Sequence, residues 1–185
     1  MNDNKNSLEQ IAIDIVQRTG TSEISFRKLA DEIGIKSSSV HYYYPEKSDL
    51  IHALMDRYSE EFFAELEAIQ LSRGKLKTKL TKFIDLFSTV ACNKKFCLCG
   101  TLAAEFGALD DNSQQRIRSF FVQIESWLET LLTQHTIEIE DSIDRKAMAK
   151  TIFSGLQGAL LLDRTFMGKE RIVHQKKLIL SILNI

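Results

Sequence analysis

Residues 37–45 read SSSVHYYYP: three serines, a valine, a histidine and three tyrosines, closed by Pro45, the only proline in the chain. Hydroxyls and rings in one run suit a catalytic site, a buried aromatic cluster or a surface that reads another molecule, and the flanking residues decide among these. Upstream, Phe26, Leu29, Ala30 and Ile33 are spaced as one stripe of a helix, with Ser25 placed to cap it and Gly34 to end it. Lys36 to Tyr44 predicts a second short helix. It must stop near Pro45, because proline disfavours helical geometry in the residue before it. Two short helices joined at Gly34, with Ile33, Ile35 and Val40 apolar around the joint, have the layout of a helix-turn-helix, which presents its second helix to the DNA major groove.

That layout gives the serines a use. Ser37, Ser38 and Ser39 fall in the first turn of the presented helix, where short hydroxyl side chains permit close approach to base edges. Backbone amides at that helix start can also hold a phosphate. The rings divide by face: Val40 and Tyr44 are expected mainly in the core, with His41, Tyr42 and Tyr43 nearer the DNA backbone. Lys47, just past the proline, is suited to phosphate. Between residues 25 and 47, Arg27, Lys28, Lys36 and Lys47 face Asp31, Glu32 and Glu46, a net +1 within a chain of net charge -1. Attraction to DNA must therefore come from where the charges sit, and it is expected to weaken with salt.

Outward from this core the pattern stays helical. Leu8, Ile11, Ala12, Ile15 and Val16 mark a first helix that ends near Gly20. After Pro45, the predicted helices run from about Glu46 to Leu71, from Leu76 through Phe87, from Phe96 to Phe106, from a polar cap at Asp110–Ser113 through Leu131, from about Ile143 to Met167, and from Glu170 to Leu183. The fold class is all-α with about nine helices: a helix-turn-helix unit over residues 1–47 and a larger helical ligand-binding and dimerisation bundle over 48–185. At 44% hydrophobic and 26% charged, 185 residues suffice for a substantial core. No apolar run approaches the roughly 20 residues that span a bilayer, and the N-terminus is polar, so a cytoplasmic location without membrane partners is expected.

The stretch ISFRKLADEIGIKSSSVHYYYPEKSDL, residues 24–50, resembles the DNA-binding region of the TetR/AcrR family of bacterial transcriptional regulators. The resemblance implies base or groove contacts from Arg27, Ser37, Ser38 and Ser39, and phosphate contacts from Ser25, His41, Tyr43 and Lys47. Two positions depart from the family pattern: Lys36 stands where serine often enters the third helix, and Tyr44 stands where phenylalanine often precedes the proline. In this family, helices 4 to 7 surround a ligand cavity. Phe62, Phe83, Phe87, Cys97, Phe106, Phe120 and Trp127 are the corresponding candidates, although aromatic stripes at helical spacing also make ordinary core. Gly155, Gly158 and Ala159 permit close helix approach beside Leu160, and Ile172, Ile179 and Leu183 add a second apolar stripe. The family pairs its last two helices across a four-helix homodimer interface.

Cys92, Cys97 and Cys99 leave three readings: a thiolate pair for a soft metal, a reactive thiol at Cys97 or Cys99 answering electrophiles or oxidants, or inert buried cysteines. No histidine lies near enough in sequence to complete a zinc site, and neither a metal nor a cofactor is expected. Nucleophile elbows, phosphate loops and His-Glu metal motifs do not occur, so no catalytic residue is assigned. The expected function is a homodimeric repressor bound to a palindromic double-stranded operator and released by an unknown small molecule.

Overall fold

The computed structural model describes residues 2–135 and 138–185. Among these the chain forms nine α-helices and no strand: α1 (Asn2–Thr19), α2 (Phe26–Ile33), α3 (Ser37–Tyr43), α4 (Lys47–Leu71), α5 (Leu76–Cys92), α6 (Leu98–Ala104), α7 (Asp111–Gln134), α8 (Arg145–Thr165) and α9 (Glu170–Ile182). Short 3-10 turns lie at Thr21–Glu23 and Phe106–Ala108.

Helix ends follow from local chemistry. Ser25 Oγ accepts the Lys28 N–H at 3.1 Å, and Gly34 closes α2 in the left-handed conformation at φ 71°. Asp144 caps α8 by accepting from Lys146 N and Ala147 N at 3.0 and 3.1 Å, which starts that helix two residues after Ile143, the expected first residue. Asp110 takes the same role for α7, accepting the Ser113 N–H at 2.9 Å. α1 begins well before Leu8, and its Asn4, Asn6 and Ser7 are exposed. α6 is shorter than its apolar run: Lys94 adopts φ 56°, and the chain stays irregular through Cys97.

The chain divides into two compact units, and α4 and α7 contribute to both. The first comprises residues up to Glu61 together with Leu98–Arg118. Its core is built by Leu8, Ala12 and Val16 of α1, Leu29 of α2, Val40 of α3, Leu50 and Leu54 of α4, and Leu98 and Leu102 of α6, all at most 1% exposed. The second comprises Phe62–Cys97 and Ser119–Ile185. There Leu80, Phe83 and Ile84 of α5, Ile124 and Leu128 of α7, Leu156 and Leu160 of α8, and Ile172 and Ile179 of α9 are at most 2% exposed. Each such side chain contributes roughly 1.5–3 kcal/mol relative to exposure. Among the described residues, no helix is long and apolar enough to cross a membrane.

Candidate nucleic-acid interface

The α2–α3 pair is fixed from below by its apolar residues and leaves its polar ones outward. The Ile35 N–H reaches back to the Ala30 carbonyl at 3.0 Å, which locks the turn after Gly34. Val40 is fully buried and Tyr44 is 3% exposed, so these two anchor α3 as the spacing predicted. Ser38, His41 and Tyr42 are exposed, Tyr42 to 75%, while Ser37, Ser39 and Tyr43 are half-buried. Lys36 stands at the helix entry without a side-chain cap bond. Arg27 is exposed on α2. The arrangement brings Arg27, Ser37, Ser38, Ser39, His41, Tyr42 and Tyr43 onto one two-helix element.

Three of the residues read for DNA are also engaged within the chain. Ser25 Oγ is the α2 cap. The His41 ring meets the Phe26 ring edge-on at 4.7 Å, which sets the spacing of α2 and α3. Lys47 Nζ donates to the Thr21 carbonyl at 2.6 Å, so its ammonium is tethered to the turn between α1 and α2.

The departure at Tyr44 has a structural cause. Its hydroxyl donates to the buried carboxylate of Glu9 on α1, which also lies 3.4 Å from the Arg57 guanidinium of α4. Burial, followed by the Glu9 carboxylate, pushes the phenol far above its ordinary range and keeps it a donor. Three helices of the first unit thus meet at one ring and one carboxylate.

A second polar node escaped sequence reasoning. Glu105, just after α6, accepts the Thr21 N–H at 3.1 Å and also accepts from the Thr21 hydroxyl. The contact spans 84 residues of chain, so no local spacing could announce it. Gly20 makes room for it, with φ 91° and a Cβ position that would fall 2.8 Å from Glu105 Oε1. Further along, His52 Nε2 lies 3.1 Å from Asp110 Oδ1, and Arg116 of α7 pairs with Asp56 of α4. The Asp110 carboxyl is held down to about 2, first by the Ser113 N–H, then by the Ser113 hydroxyl, with His52 adding to both.

No family model and no curated protein matches the sequence. Solved structures do. A TetR transcriptional regulator from Legionella pneumophila superposes with a TM-score of 0.88 at 29% identity, over 97% of this chain and 96% of that one. A TetR-family transcriptional regulator from Agrobacterium tumefaciens gives 0.92 at 21% identity over 98% of both chains. The reduced form of NemR from E. coli gives 0.82 at 16% identity, over 98% and 97%.

The chain shares its fold with TetR/AcrR-family transcriptional regulators. That likeness takes in the helix-turn-helix.

The remaining candidate residues are redistributed by the structure. Of the residues read for a ligand cavity, Phe62, Phe83, Phe87, Cys97, Phe120 and Trp127 lie in the second unit, whereas Phe106 lies in the first, under the Arg118 guanidinium at 4.9 Å. Phe62, Phe87 and Phe120 pack with centroids 5.4 to 6.3 Å apart, and Phe83 stacks on Trp127 at 5.3 Å. These rings therefore serve as core to one another. Cys97 and Cys99 are 5% and 1% exposed, whereas Cys92 is exposed.

Most of the dimer candidates are covered within a single chain. Leu160, Ile172, Ile179 and Leu183 are at most 2% exposed and Ala159 is 8% exposed within a single chain, leaving a partner almost nothing to bury. A Cβ at Gly155 would strike the Gln175 side chain of α9 at 2.0 Å, so this glycine serves α8–α9 contact inside the chain. Gly158 is exposed. Leu161 and Leu162 share its side of α8 and are exposed, as are Phe166 just past α8 and Val173, Leu178 and Ile182 of α9.

Proposed function

We propose that the protein is a homodimeric, cytoplasmic transcriptional repressor that binds a palindromic operator and is released from it by a small molecule. The observation that carries the reading is the α2–α3 pair. Its inward residues Leu29, Val40 and Tyr44 are core, while Arg27 of α2 is exposed, as are Ser38, His41 and Tyr42 of α3, the helix that a helix-turn-helix presents. Arg27, Ser37, Ser38 and Ser39 contact base edges or the groove. Ser25, His41, Tyr42, Tyr43 and Lys47 contact the backbone, Lys47 after exchanging its bond to Thr21 for a phosphate. Residues 1–47 act as the DNA-binding region and 48–185 as the ligand-binding and dimerisation region.

A two-fold operator calls for a two-fold reader. The dimer face consists of Gly158, Leu161, Leu162 and Phe166 of α8 with Val173, Leu178 and Ile182 of α9. The ligand enters the aromatic bundle of the second unit. In that unit Trp127 Nε1 and both polar atoms of the Gln157 side chain are buried with no hydrogen-bond partner among the described residues. Unmade buried hydrogen bonds cost about 1–3 kcal/mol each, so a largely apolar ligand with polar groups would gain by satisfying them. Release requires that ligand bind the DNA-incompetent arrangement more tightly than the competent one.

The test is selection of bound duplexes from a random DNA pool by the purified, reduced protein. Enrichment of a palindrome with half-sites about 34–36 Å apart is expected. No enrichment by folded, dimeric protein would refute the reading.

A further inference from the structure

We propose that Lys36 is the principal base-specifying residue of the α2–α3 element, and that it reads a guanine in each half-site through the major-groove acceptors O6 and N7. The inference rests on the DNA-binding reading above and deepens it, since it names the side chain that selects a base and the base selected.

The presented helix itself is poor in side chains that tell bases apart. α3 reads SSSVHYY, without arginine, lysine, asparagine, glutamine, aspartate or glutamate. Those side chains distinguish base pairs in the major groove because their donors or acceptors match one base edge and not the others. A serine hydroxyl both donates and accepts, so Ser37, Ser38 and Ser39 suit any base. Of the three, Ser38 alone is fully exposed. His41 follows one turn later, with its ring packed edge-on against Phe26.

Lys36 breaks a local rule at the point where such a reader is needed. The residue before a helix favours a short side chain that accepts from the first-turn amides, as Ser25 does for α2 at 3.1 Å. An ammonium has no lone pair to offer, and Lys36 makes no cap bond. It gains nothing inside the fold in exchange: Lys36 is exposed, and its side chain bonds none of the described residues. A local rule broken without an internal gain marks a functional position.

The backbone of Lys36 is, by contrast, fixed on both sides. Ile35 N–H bonds the Ala30 carbonyl at 3.0 Å, and Ser39 N–H bonds the Lys36 carbonyl at 2.9 Å. The flexible stem therefore starts from a held corner between α2 and α3, and a helix-turn-helix brings the start of its second helix to the base edges. The other cations between residues 25 and 47 are placed for other work. Lys28 pairs with Glu23 at 2.8 Å, Lys47 donates to the Thr21 carbonyl at 2.6 Å, and Arg27 lies on α2, the helix that crosses the backbone. Guanine is the base whose two major-groove groups both accept, which is what a lysine requires.

The full-length protein and its variants Lys36→Ser and Lys36→Arg are each used to select bound duplexes from a random pool, after melting curves confirm folding. Serine is a preferred cap, so Lys36→Ser removes the reader without weakening α3. The unsubstituted protein is expected to enrich a palindrome with a guanine in each half-site that Lys36→Ser no longer selects, the rest of the motif being unchanged. Lys36→Arg should keep that guanine. Placing 7-deazaguanine, which lacks the N7 acceptor, at both positions should weaken binding of the unsubstituted protein at least about fivefold and that of Lys36→Ser less than about twofold. A motif unchanged by Lys36→Ser, or indifference of the unsubstituted protein to 7-deazaguanine, would overturn the proposal while leaving the DNA-binding reading in place. Uniform weakening of all duplexes by Lys36→Ser, with a shallower salt dependence, would assign Lys36 to a phosphate and overturn it likewise. No motif at all from the folded, unsubstituted protein would overturn both.

Discussion

Replacing Gly20 by alanine should unfold the first unit far more readily than one exposed methyl group suggests. Gly20 sits at φ 91°, ψ -177°, a region that side chains other than glycine enter at about 1–3 kcal/mol. The added Cβ would also lie 2.8 Å from Glu105 Oε1, too close for the carboxylate to stay. That oxygen accepts the Thr21 N–H, and bonds to charged acceptors are worth about 1.5–3 kcal/mol, discounted here to about 1 because the site is only part-buried and water can replace the lost partner. The two costs sum to about 2–4 kcal/mol, or about 5–15 °C of melting temperature for a chain of this size. Chemical denaturation of Gly20→Ala, Glu105→Ala and the double variant measures the parts. Because Glu105→Ala removes the obstructing oxygen, the double variant should cost at least about 1 kcal/mol less than the two singles together. A Gly20→Ala cost under about 0.5 kcal/mol, or strictly additive singles, would refute the steric argument.

Three other outcomes follow from the geometry. Tyr44→Phe removes the hydroxyl that donates to buried Glu9 and should cost about 1–3 kcal/mol in denaturant unfolding, even though phenylalanine fills the same space. The Asp110 carboxyl, held down to about 2, adds stability that is fully present above the ordinary aspartate value near 3.9 and is lost as pH falls through 2. Ser113→Ala removes one of its donors, and the NMR titration midpoint of Asp110 should move up toward the ordinary value; an unmoved midpoint contradicts the assignment. Leu161→Glu with Leu178→Glu should convert the dimer to monomer in sedimentation while leaving helix content unchanged, whereas Ile179→Glu should unfold the chain, since Ile179 is 2% exposed.

What was legible in the sequence is what short-range chemistry controls. The stripe Phe26, Leu29, Ala30 and Ile33, the Ser25 cap, the Gly34 turn and the stop at Pro45 fixed α2 and α3 to within a residue. The division of Val40 and Tyr44 from His41 and Tyr42 was equally local, since helical spacing assigns faces once one face is known to be core. The missed contacts are those joining distant segments. Glu105 and Thr21 are 84 residues apart, Asp110 and His52 are 58 apart, and nothing in either neighbourhood demands the other. The dimer candidates raise another matter: α8 and α9 are apolar on more than one side, and a stripe does not state whether its cover comes from the same chain or a second one.

The two faces of α8 divide their work. The glycine at 155 lets Gln175 of α9 approach to where a Cβ would stand, and Leu156 and Leu160 are wholly buried beside it. That side of α8 cannot be yielded to a partner without opening the α8–α9 pair. The opposite side holds Gly158, whose Cβ position has nothing within 4 Å, with Leu161 and Leu162 about half exposed one turn on. Small residues at 155 and 158 thus look alike in sequence and act oppositely. Alanine at 155 must push Gln175 aside and loosen the monomer. Alanine at 158 meets no atom of its own chain, so any effect on association must come from contact with a second chain. Comparing unfolding and dimer dissociation for Gly155→Ala and Gly158→Ala therefore tests the face itself. A stability loss confined to the first and a changed dimer constant confined to the second are expected, and the reverse pattern would return the interface to the buried stripe.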